Sequence, residues 1–255
     1  GRRATRAALR DGESVVGTGA SLADPAVPEL LAPDADFVLL DTEHTPNGLE
    51  TVADCARAVD AAAGDAIPLA RVAWNDPVRI KRLLDLGVAG VMVPMVESAD
   101  EARAAVEACR YPPDGVRGIA TARASAYGRE FESYVERAAA ETLTILQVET
   151  EAGVEHAADI AAVDGVDALF VGPADLSANL GVFGEWDDPE LAGAIGTVLA
   201  AGDDAGTPVG TLGADPEQVR ALGSMGFDFL IAGVDTALLL SGVADAVGAA
   251  RDVLE

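Results

Sequence analysis

The sequence predicts a (β/α)8 barrel, and three observations carry that expectation. Eight short runs are rich in Val, Ile and Leu, segments of helical periodicity separate them, and 255 residues is the size of one such barrel. No internal repeat, low-complexity linker or shift of composition divides the chain, so residues 1–255 read as one domain. A doubly wound open sheet is the alternative, but its Gly-rich dinucleotide fingerprint is missing after the first run.

The strands are expected at Val15–Ala20, Phe37–Thr42, Pro68–Val72, Gly90–Pro94, Thr144–Glu149, Ala168–Gly172, Pro208–Leu212 and Phe229–Ala232. Runs this continuously apolar suit strands buried on both faces. Helix signals fall between them. Asn75-Asp76-Pro77 offers a cap followed by proline at the first helical position, and Gly87 ends that helix. Ser98 and Glu101 have capping-box spacing, and Asp215-Pro216 repeats the Asp-Pro start. Gly153–Val163 has a helical pattern, and the long connection Tyr111–Ala140 has room for a loop and an extra helix. The glycines of Gly210–Gly213 and around Gly233 suit tight turns or a phosphate contact.

Charge narrows the function classes. Lys+Arg is 17 and Asp+Glu is 43, a net charge of −26. A polyanion of this size argues against neutralising nucleic acid phosphates and against docking on an anionic membrane. Half the residues are hydrophobic, too many for a disordered acidic tail, and no apolar run is long enough to span a bilayer. GRRATRAALRDGE is basic but lacks the apolar stretch of a signal peptide, so a cytoplasmic location is expected. Cys55 and Cys109 read as small core residues rather than a disulfide framework. Acids spread along the whole chain, with Lys81 the only lysine, suggest a salt-accumulating cytoplasm in which ions screen the self-repulsion.

In a barrel, chemistry gathers where the strands end. Asp41, Glu43 and His44 follow the second run, Arg71 ends the third, Gln147 and Glu149 end the fifth, and Gly172-Pro173-Ala174-Asp175 follows the sixth. Gln147 and Glu149 are two apart and share a face. Glu149 and Asp175, from neighbouring strand ends, suit a hard divalent cation that takes water and substrate oxygens as well; surface acids are the alternative. His44 has a place for proton transfer or for a structural hydrogen bond. Arg71 can bind a substrate oxyanion or pair with Asp41 or Glu43. Asp85, in the last turn of its helix, has a charge disfavoured by the helix dipole and can instead orient an imidazole such as His44. His156 reads as an exposed helix residue. Lys81, flanked by Arg79 and Arg82, is poorly placed for imine chemistry.

The stretches Leu40-Asp41-Thr42-Glu43-His44, Trp74-Asn75-Asp76-Pro77, Val93-Pro94-Met95-Val96, Tyr111-Pro112-Pro113, Gln147-Val148-Glu149-Thr150 and Val171-Gly172-Pro173-Ala174-Asp175-Leu176-Ser177 resemble the HpcH/HpaI aldolase family. The resemblance runs from about Val15 to the last strand. It implies a divalent-metal-dependent aldolase, using Mg²⁺, Mn²⁺ or Co²⁺, that cleaves a 4-hydroxy-2-oxo acid reversibly to pyruvate and an aldehyde through an enolate. It implies Glu149 and Asp175 as metal ligands, His44 with Asp85 as its paired acid, and Arg71 at the keto oxygen. Gln147 would be a further substrate contact, with Gly172, Pro173, Ala174 and Asp175 around the pyruvate carboxylate. It also implies a homo-oligomer, often a hexamer, whose last helix packs on a neighbouring subunit. Thr42, Gly17-Thr18-Gly19-Ala20 and the Ala120–Tyr127 loop depart from the family pattern, on the acceptor side of the site. A CoA-thioester lyase and a non-catalytic keto-acid-binding barrel are the rivals. Clear cationic groups for CoA phosphates are missing, and metal-dependent exchange of pyruvate protons separates enzyme from binder.

Overall fold

The eight expected runs form eight parallel strands that close on themselves in sequence order. The computed structural model describes residues 2–254. The chain begins with α1 (Arg2–Arg10), then β1 (Val15–Ala20), α2 (Ala26–Leu31), β2 (Phe37–Asp41), α3 (Leu49–Ala61), β3 (Ile67–Arg71), α4 (Pro77–Asp85), β4 (Gly90–Val93) and α5 (Ala99–Cys109). It continues with a 3₁₀ segment (Arg123–Gly128), α6 (Phe131–Glu141), β5 (Leu143–Val148), α7 (Glu151–Glu155), α8 (Ala157–Ala161), β6 (Ala168–Val171) and α9 (Pro173–Asn179). The final elements are α10 (Pro189–Ala205), β7 (Val209–Gly213), α11 (Pro216–Gly223), β8 (Phe229–Val234) and α12 (Asp235–Leu254).

The caps form as the sequence requires. The Asp76, Ser98 and Asp215 side chains accept from backbone N–H groups of the first helical turn in α4, α5 and α11. The Tyr111–Ala140 connection does hold an extra helix, α6. Two details differ from expectation. The Gly153–Val163 pattern splits into α7 and α8 at His156, whose backbone leaves the helical region. Gly210 and Gly213 lie inside β7 rather than in turns.

Strand alternation sorts the core into two layers. Phe37, Leu39, Ile67, Leu69, Leu143, Ile145, Phe170 and Phe229 fill the barrel interior. Val38, Leu40, Ala70, Val91, Leu146 and Val171 pack against the helices, as do Cys55 and Cys109. A side chain at Gly17 or Gly210 would strike the ring of Phe37 or Phe229, so both glycines make room for interior aromatics.

The base of the barrel is closed by α1. Leu9 joins the interior cluster. The Arg6 guanidinium reaches Asp167 Oδ1 at 2.7 Å and the Ala139 carbonyl at 2.6 Å, while Asp167 Oδ2 accepts from the Thr144 amide. Only 10% of the Arg6 side chain and 1% of that of Asp167 are exposed. Removing one partner of a buried ion pair typically costs about 3–5 kcal/mol, and the low end applies to Asp167, which keeps the Thr144 amide. Arg6→Ala is therefore expected to lower unfolding stability by about 3 kcal/mol in a denaturant titration, whereas Arg57→Ala, at an exposed pair, changes it by well under 1 kcal/mol.

Candidate active site

The inward register of the interior core leads directly to the polar cluster. On β5, Leu143 and Ile145 point into the barrel; two residues further, Gln147 and then Glu149 take the same face. Ile67 and Leu69 lead likewise to Arg71, and Phe37 and Leu39 to Asp41. Asp41 and Arg71 are register partners on β2 and β3.

Arg71 Nε donates to Asp41 Oδ1 at 2.8 Å and lies 3.3 Å from Glu43 Oε2. Its two terminal nitrogens make no hydrogen bond among the described residues, so the anchored guanidinium presents its free end to the mouth. Burial works against charging Asp41, but the Arg71 hydrogen bond and charge, with the amides of Glu43 and His44, hold its carboxyl below the usual range. Burial pushes the Glu43 carboxyl up to about 7; Arg71 opposes this, and Glu149, Asp41 and Asp175 add to it. His44 is exposed, with Nε2 3.6 Å from Glu43 Oε2.

Glu149 is 2% exposed, and both its oxygens are positioned. Oε1 accepts from the Met95 amide at 2.9 Å and Oε2 from Gln147 Nε2 at 2.7 Å. Met95 adopts φ 55°, left-handed backbone that a non-glycine residue rarely takes, and this turn aims its amide at the carboxylate. A side chain at Gly172 would lie 2.4 Å from Glu149 Oε2, so the glycine after β6 leaves the carboxylate its space. Burial raises the Glu149 carboxyl above its ordinary value; the Met95 and Gln147 hydrogen bonds pull it back, and the Asp175 charge raises it further. Asp175 sits in the first turn of α9 at the exposed rim, and its charge is felt at both Glu149 and Glu43.

These residues fit a hard divalent cation. Glu149 and Asp175 offer carboxylate oxygens, and the buried Gln147 Oε1 has no hydrogen-bond partner. Among the described residues no group of three or more His, Cys, Asp or Glu converges. Two carboxylates, with water and substrate oxygens, are a common ligand set for Mg²⁺.

The expected pairing of His44 with Asp85 is not formed within this chain. Asp85 ends α4, which runs back from the strand tips, so it lies at the opposite end of the βα unit from His44. Its Oδ1 accepts from Arg117 Nη2 at 3.0 Å. Arg117 is itself buried, stacked 4.6 Å from the Tyr111 ring centroid and hydrogen-bonded to the Tyr134 hydroxyl. His156 is exposed, as expected, with Nδ1 on the Ala152 carbonyl. The Met95 amide is the contact that the sequence did not disclose. A backbone donor leaves no residue-type signal; the only trace was its position just past a strand end.

The raised Glu43 carboxyl has a measurable consequence. A carboxyl whose folded value lies above its unfolded one favours folding below the unfolded value, and that contribution is lost as pH rises through about 7. Metal-free Glu43→Gln is expected to match the parent's stability at pH 4 and to exceed it at pH 8 by on the order of 2 kcal/mol, read by denaturant melts at both pH values.

Known proteins share this barrel. The family model for HpcH/HpaI aldolase/citrate lyase matches residues 22–242. A 4-hydroxy-2-oxo-heptane-1,7-dioate aldolase from Shigella flexneri is 41% identical over 92% of this chain and 88% of its own length. A crystal structure of an HpcH/HpaI aldolase/citrate lyase family protein from Burkholderia cenocepacia superposes with a TM-score of 0.94 at 38% identity, covering 98% of this chain and 99% of that one. An HpcH/HpaI aldolase from Desulfitobacterium hafniense gives 0.87 at 29% identity, with 96% of each chain covered. With a strand-tip cluster built on the register that the barrel imposes, and with matches over nearly its whole length, the chain belongs to the HpcH/HpaI aldolase/citrate lyase family.

Proposed function

We infer that this chain is a carbon–carbon lyase, a divalent-metal-dependent aldolase that cleaves a 4-hydroxy-2-oxo acid reversibly to pyruvate and an aldehyde. The observation that carries the reading is the buried Glu149 carboxylate, held from two sides, with the Gln147 Oε1 acceptor unfilled beside it and the free end of Arg71 across the mouth.

Glu149 and Asp175 would hold the cation, which when bound supplies Lewis-acid polarisation of the 2-keto oxygen. Mg²⁺, Mn²⁺ and Co²⁺ all suit this donor set. The terminal nitrogens of Arg71 donate to the same keto oxygen and stabilise the charge that gathers there. The amides of Ala174 and Asp175, first-turn donors without partners inside α9, face the substrate carboxylate beside Gly172 and Pro173. Gln147 orders the oxygens around Glu149. In cleavage the C4 hydroxyl loses its proton, the C3–C4 bond breaks, and its electron pair passes into the keto group as the enolate while the aldehyde departs. Protonation at C3 then gives pyruvate. His44, exposed at the mouth and next to Glu43, is the group proposed to carry these protons; Asp85 has no contact with it inside the chain. Glu149→Gln and Asp175→Asn are expected to lower metal-dependent turnover at least a hundredfold and to weaken Mn²⁺ binding by calorimetry, with melting curves retained. Full activity of either variant in EDTA would refute the assignment.

The last helix supports a homo-oligomer as part of this reading. Of the described residues of α12 only Asp235 is buried, while Leu239, Leu240, Val243 and Val247 are 59%, 73%, 54% and 44% exposed. The outward positions of β8 are half-covered, and Val16 on β1 is 42% exposed. A barrel helix that leaves its own strands uncovered is expected to pack on a neighbouring subunit, and a hexamer is the proposed assembly. No helix among the described residues is long and apolar enough to cross a membrane. We place the enzyme in the cytoplasm of a salt-accumulating cell, where screening offsets the charge of −26. In molar KCl, light scattering is expected to give an oligomer that Leu239→Glu/Leu240→Glu dissociates, and the melting temperature should fall as KCl is removed. A monomer of salt-independent stability contradicts both expectations.

A further inference from the structure

The chemistry of the acceptor aldehyde can be read from the part of the mouth that the aldolase reading leaves unused, and the inference rests on that reading. Around the mouth stand the carboxylates of Asp41, Glu43, Glu149 and Asp175, with Asp235 just past β8, and Arg71 is the cation that ends a strand among them. Arg71 Nε is already shared by Asp41 and Glu43, and its remaining nitrogens serve the keto oxygen. Away from Glu149 and Asp175, the wall formed by β1, β7 and β8 carries a carboxylate and no cation of its own: Asp235, just past β8, turns its side chain onto the Ser21 and Leu22 amides. Gly19, Ala20, Ser21, Leu212 and Val234 line, together with Asp41 and Arg71, a cavity of about 40 Å³ that reaches down to Phe170, room for one or two water-sized groups. The Ser21 backbone N–H and carbonyl are taken by Asp235 and Asn47, while its hydroxyl makes no hydrogen bond among the described residues. The cations of α4 do not reach this wall. Arg79 and Arg82 line a separate groove with Asn47 and Val78, between α3 and α4.

We propose that the acceptor is a short, uncharged aldehyde, alkyl or hydroxylated, and that an aldehyde bearing its own carboxylate is disfavoured. A second carboxylate on this wall would be desolvated beside the Asp235 carboxylate, with no cation but Arg71, whose donors are already engaged by Asp41, Glu43 and the keto oxygen. An added hydroxyl is tolerated, since a mostly apolar pocket rejects it only weakly and Ser21 can bond it. The chain would thereby differ from its relatives named for a 1,7-dioate, a substrate with a carboxylate at each end.

The test uses the Mn²⁺-loaded enzyme with pyruvate in molar KCl, which screens long-range repulsion and leaves the local contact to be read. Butanal and glycolaldehyde are compared with 4-oxobutanoate by kcat/KM. A preference of tenfold or more for each neutral aldehyde is expected, and anything less overturns the proposal. Ser21→Arg and Leu212→Arg place a cation on the wall; each folded variant should raise 4-oxobutanoate relative to butanal at least fivefold, and an unmoved ratio in Ser21→Arg, at a half-exposed position, also overturns it. Exchange of pyruvate methyl protons in D₂O, which needs no acceptor, separates the two levels. Exchange together with a preference for 4-oxobutanoate defeats this inference alone, and loss of exchange defeats the aldolase reading with it.

Discussion

A carboxylate buried at the end of an apolar strand is the constraint on which the site depends. Glu149 sits where a charge has lost almost all of its water, so every neighbour is arranged around its two oxygens. The Met95 amide holds one and the Gln147 amide the other. Gly172 lacks the Cβ that would collide with it. The left-handed backbone at Met95 is tolerated because β4 and the Val96 amide, bonded to the Gln147 carbonyl, fix the chain on either side. These contacts stabilise the anion without quenching it, which is the state in which a carboxylate takes up a cation.

The second carboxylate system answers a different need. Asp41 and Glu43 hold Arg71 by one nitrogen, so the guanidinium is fixed in direction while its outer donors stay available. Because Arg71 cannot neutralise both acids fully, one of them, Asp41, is held ionised and the other, Glu43, keeps its proton to near neutrality. Two chemically identical groups on one loop thus acquire opposite proton affinities from burial and one shared cation. The same economy of cations runs through a chain with 17 basic and 43 acidic residues, where Arg6 and Arg117 are spent on buried positions away from the mouth.

Much of this was legible in the sequence. Eight apolar runs gave eight strands with shifts of one or two residues, because a strand covered by barrel interior on one side and helices on the other must be apolar at nearly every position. The spacing of Gln147 and Glu149, two apart after an apolar run, foretold a shared inward face. Caps at Asp76, Ser98 and Asp215 are local and need only their own turn. His44 and Asp85 do not meet within the chain for the opposite reason. A helix-end acid can be matched to a histidine on chemical type alone, but the return direction of α4 carries it to the other end of its unit, where Arg117 takes it.

The sequence by itself determined the barrel, the order of its strands and the acids and arginine at their tips, since hydrophobic period and strand-end position are properties of short segments. Only the tertiary structure decided which of those groups meet. The anchoring of Arg71 by one nitrogen, the Met95 amide on Glu149, the unfilled Gln147 acceptor, the Asp235 carboxylate on the Ser21 and Leu22 amides and the uncovered α12 all depend on side chains and backbone atoms from segments distant along the chain. Their contacts arise from closure of the barrel, a long-range condition that no local window of residues encodes.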